Sequence, residues 1–114
     1  MRQLIFNDQE LSEMMNETSL EKQDCVELFQ MFIDDLPMQL QEIEEATNQN
    51  NYQELQAIAH RLKGASGSLR LKKVTSVMLE LENAAKATNF SLSKSILKRI
   101  VEMVKTEDDE DFNS

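Results

Sequence analysis

The sequence predicts an all-α fold, an antiparallel four-helix bundle with a short extra N-terminal helix. Three observations predict it. Apolar residues recur at steps of three and four through most of the 114 residues. The chain has only two Gly and one Pro, too few turn residues for an all-β fold. The joints between the apolar segments are short and polar.

The elements follow in order. Asn7-Asp8-Gln9-Glu10 caps a short first helix carrying Leu11, Met14 and Met15. Thr18-Ser19-Leu20-Glu21 has the form of a capping box, Thr with Glu three residues later, so a second helix is expected to begin there. Its stripe is Cys25, Leu28, Phe29, Phe32, Ile33, Leu36, Leu40 and Ile43, which stays in phase across Pro37. A kink rather than a break is expected at that residue. Asn48-Gln49-Asn50-Asn51 joins it to a third helix, Tyr52 to Leu69, with the stripe Leu55, Ile58, Leu62, Ala65 and Leu69. A fourth helix carries Leu71, Val74, Met78, Leu81 and Ala85. A fifth starts near Ser91 with Leu92, Ile96, Leu97, Ile100 and Val104. The bundle is expected to occupy residues 1–105, and 106–114 to form an acidic, disordered tail.

Composition removes several functions. One Cys excludes an intrachain disulfide framework or a multi-cysteine zinc cluster, and one His excludes a poly-histidine metal site. No apolar run approaches the roughly 20 residues of a membrane span. No targeting segment is visible, so a cytoplasmic protein is expected. The net charge of −9 argues against nucleic-acid binding. That charge is uneven, at −10 over residues 1–50, +6 over 51–105 and −5 over 106–114.

The third helix carries the chemistry. Its apolar stripe lies almost opposite His60, which therefore projects from the bundle. Alone, such a His is an ordinary surface residue, but its neighbours are unusual. Gly64 and Gly67, the only glycines, lie one and two turns on, within about 40° of its direction. Each costs roughly 1 kcal/mol relative to Ala in a helix interior. Bare backbone beside an exposed His gives another molecule close access to the imidazole. Lys63 lies about 60° around the same surface and offers a cation. An exposed neutral imidazole, a nearby cation and bare backbone suit transient capture of a phosphoryl group. With no P-loop, kinase glycine loop or triad partner for Ser66 or Cys25, the chain has no means of its own to activate that group. A single His without clustered ligands also disfavours a hydrolytic or metal enzyme.

The stretch Ala59-His60-Arg61-Leu62-Lys63-Gly64-Ala65-Ser66-Gly67-Ser68-Leu69 resembles the signature of histidine-containing phosphotransfer (HPt) domains. That signature is His, Lys three residues on, Gly four on, a small residue six on and Gly ten on. Here His60, Lys63, Gly64 and Ser66 match, and Arg70 stands at the last position, which bears on where the third helix ends. The acidic Asp34-Asp35 followed by Leu36-Pro37 also looks like the first long bundle helix of that family.

The resemblance implies a phosphoryl carrier, not an enzyme, active in two-component phosphorelays. His60 would take a phosphoryl group from the aspartyl phosphate of a response-regulator receiver domain and pass it to another receiver. Lys63 would help electrostatically, Gly64 would make room for docking, and Glu82, at the position of a Gln or Glu in many members, would orient the ring. Gly67, Arg61, Ser66 and Arg70 are the further docking candidates. Met14, Met15, Leu36 and Met38 are apolar candidates for that surface, at least two of them expected in the core. Arg61, Lys63, Arg70, Lys72 and Lys73 would form a basic collar for an acidic partner. The expected partners are receivers and a hybrid sensor kinase, with no nucleic acid and no membrane, and the chain is expected to be a monomer. No cofactor of its own is implied; Mg²⁺ is expected on the partner receiver. The alternative is a helical adaptor or inhibitor that binds a receiver or kinase without being phosphorylated.

Overall fold

The structure is a computed structural model; it describes residues 7–113, with side chains described through residue 103. Among them there is no strand. Five helices follow one another: α1 Asp8–Thr18, α2 Lys22–Asn48, α3 Tyr52–Ser68, α4 Lys72–Lys86 and α5 Phe90–Asn113. Their contacts close a cycle, α2 on α3, α3 on α4, α4 on α5 and α5 back on α2, with α1 lying against α2. The α3–α4 pairing is the most extensive. One core unites all five, with Leu11 of α1, Phe29 and Ile43 of α2, Leu55 of α3, Leu81 of α4 and Ile96 of α5 all buried. Cys25 is buried there as a free thiol.

The helix starts are set by different devices. Asn7 and Glu10 form a reciprocal capping box on α1. Glu10 does more than that. Its second oxygen accepts the backbone N–H of Lys72 at 2.6 Å, so one buried carboxylate caps α1 and also the start of α4. Leu71 at the N-cap of α4 has no side-chain cap to offer.

The capping box expected at Thr18–Glu21 is not formed. Thr18 ends α1 instead, its hydroxyl donating to the Met14 carbonyl, and Ser19 turns the chain with φ 62°. α2 then begins at Lys22 without a side-chain cap. It runs through Pro37 as one helix, with Leu36 and Leu40 buried on either side. The apolar stripe in phase across the proline accounts for that continuity.

Two stripes shift from expectation. On α3, Ala65 is exposed, while Ala59 and Ser66 are buried beside Leu55, Ile58 and Leu62. The buried face has rotated toward α4, the neighbour that covers α3 most. On α5, Leu92 is exposed and Ser93 is buried. The backbone of α5 extends past residue 105, the expected end of the bundle. Val104 and the tail expected over 106–114 fall where side chains lie outside the described residues.

Three helices end alike. Asn50, Arg70 and Thr88 each take a left-handed conformation, with φ of 55°, 64° and 50°. After each, the next residue donates its N–H back across the last turn: Asn51 to Ala46, Leu71 to Ser66 and Asn89 to Ala84. These are Schellman ends, where Gly is the usual residue because it has no Cβ to clash. Arg70 stabilises its own strained turn, for its guanidinium donates to the carbonyls of Gly67 and Ser68 and pairs with Glu17 of α1.

Candidate functional site

His60 stands on the outer face of α3 with 70% of its side chain exposed. Across the α3–α4 seam, Glu82 reaches it from one turn before the end of α4. Glu82 is 3% exposed, and its two oxygens are divided. Oε2 lies 2.8 Å from His60 Nδ1. Oε1 accepts from Lys63 Nζ at 2.6 Å.

The Lys63 hydrogen bond is the main reason the Glu82 carboxyl is held below the usual carboxylate range. Burial opposes it; the His60 hydrogen bond and the charges of Lys63 and Lys86 act with Lys63. An ionised carboxylate only accepts hydrogen bonds. The proton between Glu82 and a neutral His60 therefore sits on Nδ1. That leaves the Nε2 lone pair free and turned away from the carboxylate.

Lys63 joins this cluster from the same helix as His60. Its ammonium faces Glu82 on the Nδ1 side of the ring, and only 29% of its side chain is exposed.

The glycines beside His60 are not demanded by the fold. Neither has a positive φ. A Cβ built on Gly64 would meet nothing within 4 Å, and one on Gly67 would meet Thr75 at an ordinary 3.9 Å. Among the described residues, four turns take the left-handed conformation that favours Gly, and there the chain has Ser19, Asn50, Arg70 and Thr88. Glycine is absent from the turns that favour it and present in a helix that does not require it.

The other docking candidates divide. Arg61 lies on the α2 side of α3, donating to Gln39 at 2.6 Å and pairing with Glu42. Ser66 is buried, its hydroxyl bonded to the Lys63 carbonyl and to Thr75 across the α3–α4 seam. It is a packing residue, a correction to its place among the docking candidates, because no partner surface can reach it. Arg70 caps α3 and ties α1, so its guanidinium is engaged within the chain. Of the apolar candidates, Met14 and Leu36 are core, Met15 is partly buried and Met38 is exposed.

The bond from Lys72 to Glu10 and the place of Lys86 were not legible in the sequence. The partner of Glu10 lies 62 residues away, beyond any local signal. Lys86 borders a shallow depression beside His60, together with Gln53, Gln56, Ala57 and Glu82. The signal that could have found it is its helical spacing of four from Glu82.

Among the described residues, no group of three or more His, Cys, Asp or Glu is placed to hold a metal ion. No helix among them is long and apolar enough to cross a membrane.

Comparison with protein families decides the class. The family model described as Hpt domain matches residues 27–110. The chain belongs to the Hpt domain family. No curated protein and no solved structure matches it. Hpt domains are histidine phosphotransfer modules of phosphorelays and work with response-regulator receiver domains. The Hpt match contains His60, Lys63, Gly64 and Glu82. It begins inside α2, so α1, with its links from Glu10, Glu13 and Glu17 to the α3–α4 junction, lies outside it.

Proposed function

We propose that this Hpt domain is a cytoplasmic phosphoryl carrier, built on an antiparallel bundle of α2–α5. It accepts a phosphoryl group from the aspartyl phosphate of one receiver onto His60 Nε2 and passes it to another receiver. The observation that carries this reading is the ring's setting. His60 is exposed, its Nδ1 is held by buried Glu82, and Nε2 is left as the nucleophile.

In the forward step the Nε2 lone pair attacks phosphorus. An Nε2–P bond forms as the P–O bond to the receiver aspartate breaks, and the aspartate leaves as a carboxylate. The proton stays on Nδ1, so the ring becomes cationic. Glu82 lies against that proton and offsets the charge. The reverse step returns the group to a second aspartate by the same path. Lys63 keeps Glu82 ionised, which fixes the tautomer. Gly64 lets the receiver backbone approach the ring. The chain needs no cofactor of its own for these steps; the receiver brings the Mg²⁺ that its acidic site holds.

Incubation with a ³²P-labelled receiver tests the reading. Acid-labile, base-stable label is expected on the wild-type chain and none on His60→Gln. Undiminished label on the Gln variant would overturn the assignment of His60. Receiver binding retained by both proteins with no phosphorylated species on either would favour the adaptor.

A further inference from the structure

Lys63 neutralises Glu82 on the Nδ1 side of the ring, which leaves open what meets the charge of the phosphoryl group on the other side. Helical side chains lean toward the N-terminus of their helix, which for His60 is the turn of Gln56 and Ala57. That is where the depression lined by Gln53, Gln56, Ala57, His60, Glu82 and Lys86 lies. Lys86 is one turn after Glu82 on α4 and is exposed. Its ammonium is close enough to act on the Glu82 carboxyl by charge alone. No hydrogen bond or ion pair among the described residues holds it. The nearby cations differ in this respect, for Lys63 is bound to Glu82 and Arg61 to Gln39 and Glu42.

We propose that this depression seats the phosphoryl group carried by His60, with Lys86 as the cation for its oxygens and the carboxamides of Gln53 and Gln56 as neutral N–H donors. The proposal rests on His60 being the acceptor. Two lysines then divide the work. Lys63 offsets the buried carboxylate, and Lys86 offsets the transferred group. During transfer, negative charge is spread over the three equatorial oxygens while the Nε2–P bond replaces the P–O bond to the aspartate. A cation free of internal partners can follow that charge without first breaking an ion pair. The phosphohistidine that results is a dianion or monoanion according to pH, and an adjacent ammonium favours the dianion.

The test uses the full chain with two donors, a phosphorylated receiver and the small donor phosphoramidate, which needs no protein docking. In Lys86→Ala, phosphorylation of His60 from phosphoramidate is expected to slow about tenfold, a discounted form of losing one oxyanion donor. The ³¹P titration of the phosphohistidine is expected to move up by roughly half a pKa unit, as fits an exposed charge pair. Lys86→Arg is expected to restore both readouts. Lys94→Ala, on the distant face of α5, is expected to leave both at wild-type values. A Lys86→Ala rate within twofold of wild type, with an unchanged ³¹P titration, would overturn the pocket and leave the carrier role standing. Failure of the wild-type chain to acquire label on His60 from either donor would overturn the carrier role and the pocket with it.

Discussion

Glu82 is the residue on which the site turns. A carboxylate this buried is costly unless its lone pairs are occupied and its charge is offset. Lys63 and His60 do both. Its pKa is depressed in the folded chain, so its contribution to stability is present above the unfolded carboxylate value of about 4.3. That contribution is lost as pH falls through the lower folded value. Removing Lys63 takes away the largest cause of the depression and leaves burial, which acts the other way. In Lys63→Ala the Glu82 carboxyl is therefore expected to titrate higher, and acid unfolding to begin at a higher pH. Stability near neutral pH should fall by about 1–2 kcal/mol. Carboxyl ¹³C titration and acid denaturation measure these directly. A Glu82 titration identical to wild type would show that Lys63 does not hold it. Phosphoryl transfer should slow as well, since a ring no longer fixed as the Nδ1–H tautomer presents Nε2 less often. At this scale the sequence shows His60, Lys63 and Gly64 well, because one helix of known pitch orders them. The pairing of Lys63 with Glu82 is not legible in that way. Those residues are 19 positions apart on different helices, and only the packing of α3 on α4 joins them.

Among the elements, α3 shows how much of the fold periodicity reveals. Its start at Tyr52 and its end near Leu69 follow from the sequence, as does the direction of His60. The rotation of its buried face toward α4 does not, because a stripe records which side is apolar but not which neighbour covers it most. Local capping signals also compete. Thr18 fits the start of α2 and the end of α1 equally well as a string, and the carbonyl of Met14 takes its hydroxyl. The Arg70 turn is a sharper case. Its φ of 64° carries a penalty of about 1–2 kcal/mol for a residue with a Cβ, which the bonds to Gly67, Ser68 and Glu17 offset. Arg70→Ala keeps the penalty and loses the bonds, so it is expected to destabilise by roughly 1–2 kcal/mol. Arg70→Gly loses the same bonds and also the penalty, and should lie between Ala and wild type in thermal or urea unfolding. An Ala variant more stable than the Gly variant would show that the turn is not strained at this position.

Over the whole molecule, the uneven charge has an internal use. The acidic first half supplies α1 and α2, and the basic stretch supplies α3, α4 and the first part of α5. Folding brings the two together. Glu13 meets Lys72, Glu17 meets Arg70, and Glu42 lies by Arg61. Of the five cations expected to form a collar for an acidic receiver, Arg61, Arg70 and Lys72 are thus engaged by acids of α1 and α2, and Lys63 by Glu82. The field around His60 is weaker than the linear sequence suggests, and it sits on a protein of net charge −9. Attraction of a receiver's acidic site by Lys86 and Lys73 and repulsion by the acidic helices then oppose each other. Salt screens both, over a Debye length of about 10 Å at 0.1 M. The second-order rate of transfer from a phosphorylated receiver is therefore expected to change by less than about threefold between roughly 0.05 and 0.5 M salt. Association steered by one dominant patch would fall steeply over the same range. Stopped-flow or rapid-quench rates at several ionic strengths decide between them. A tenfold decline would mean that the engaged cations release their acids when the receiver docks, making the collar a property of the complex rather than of the free chain.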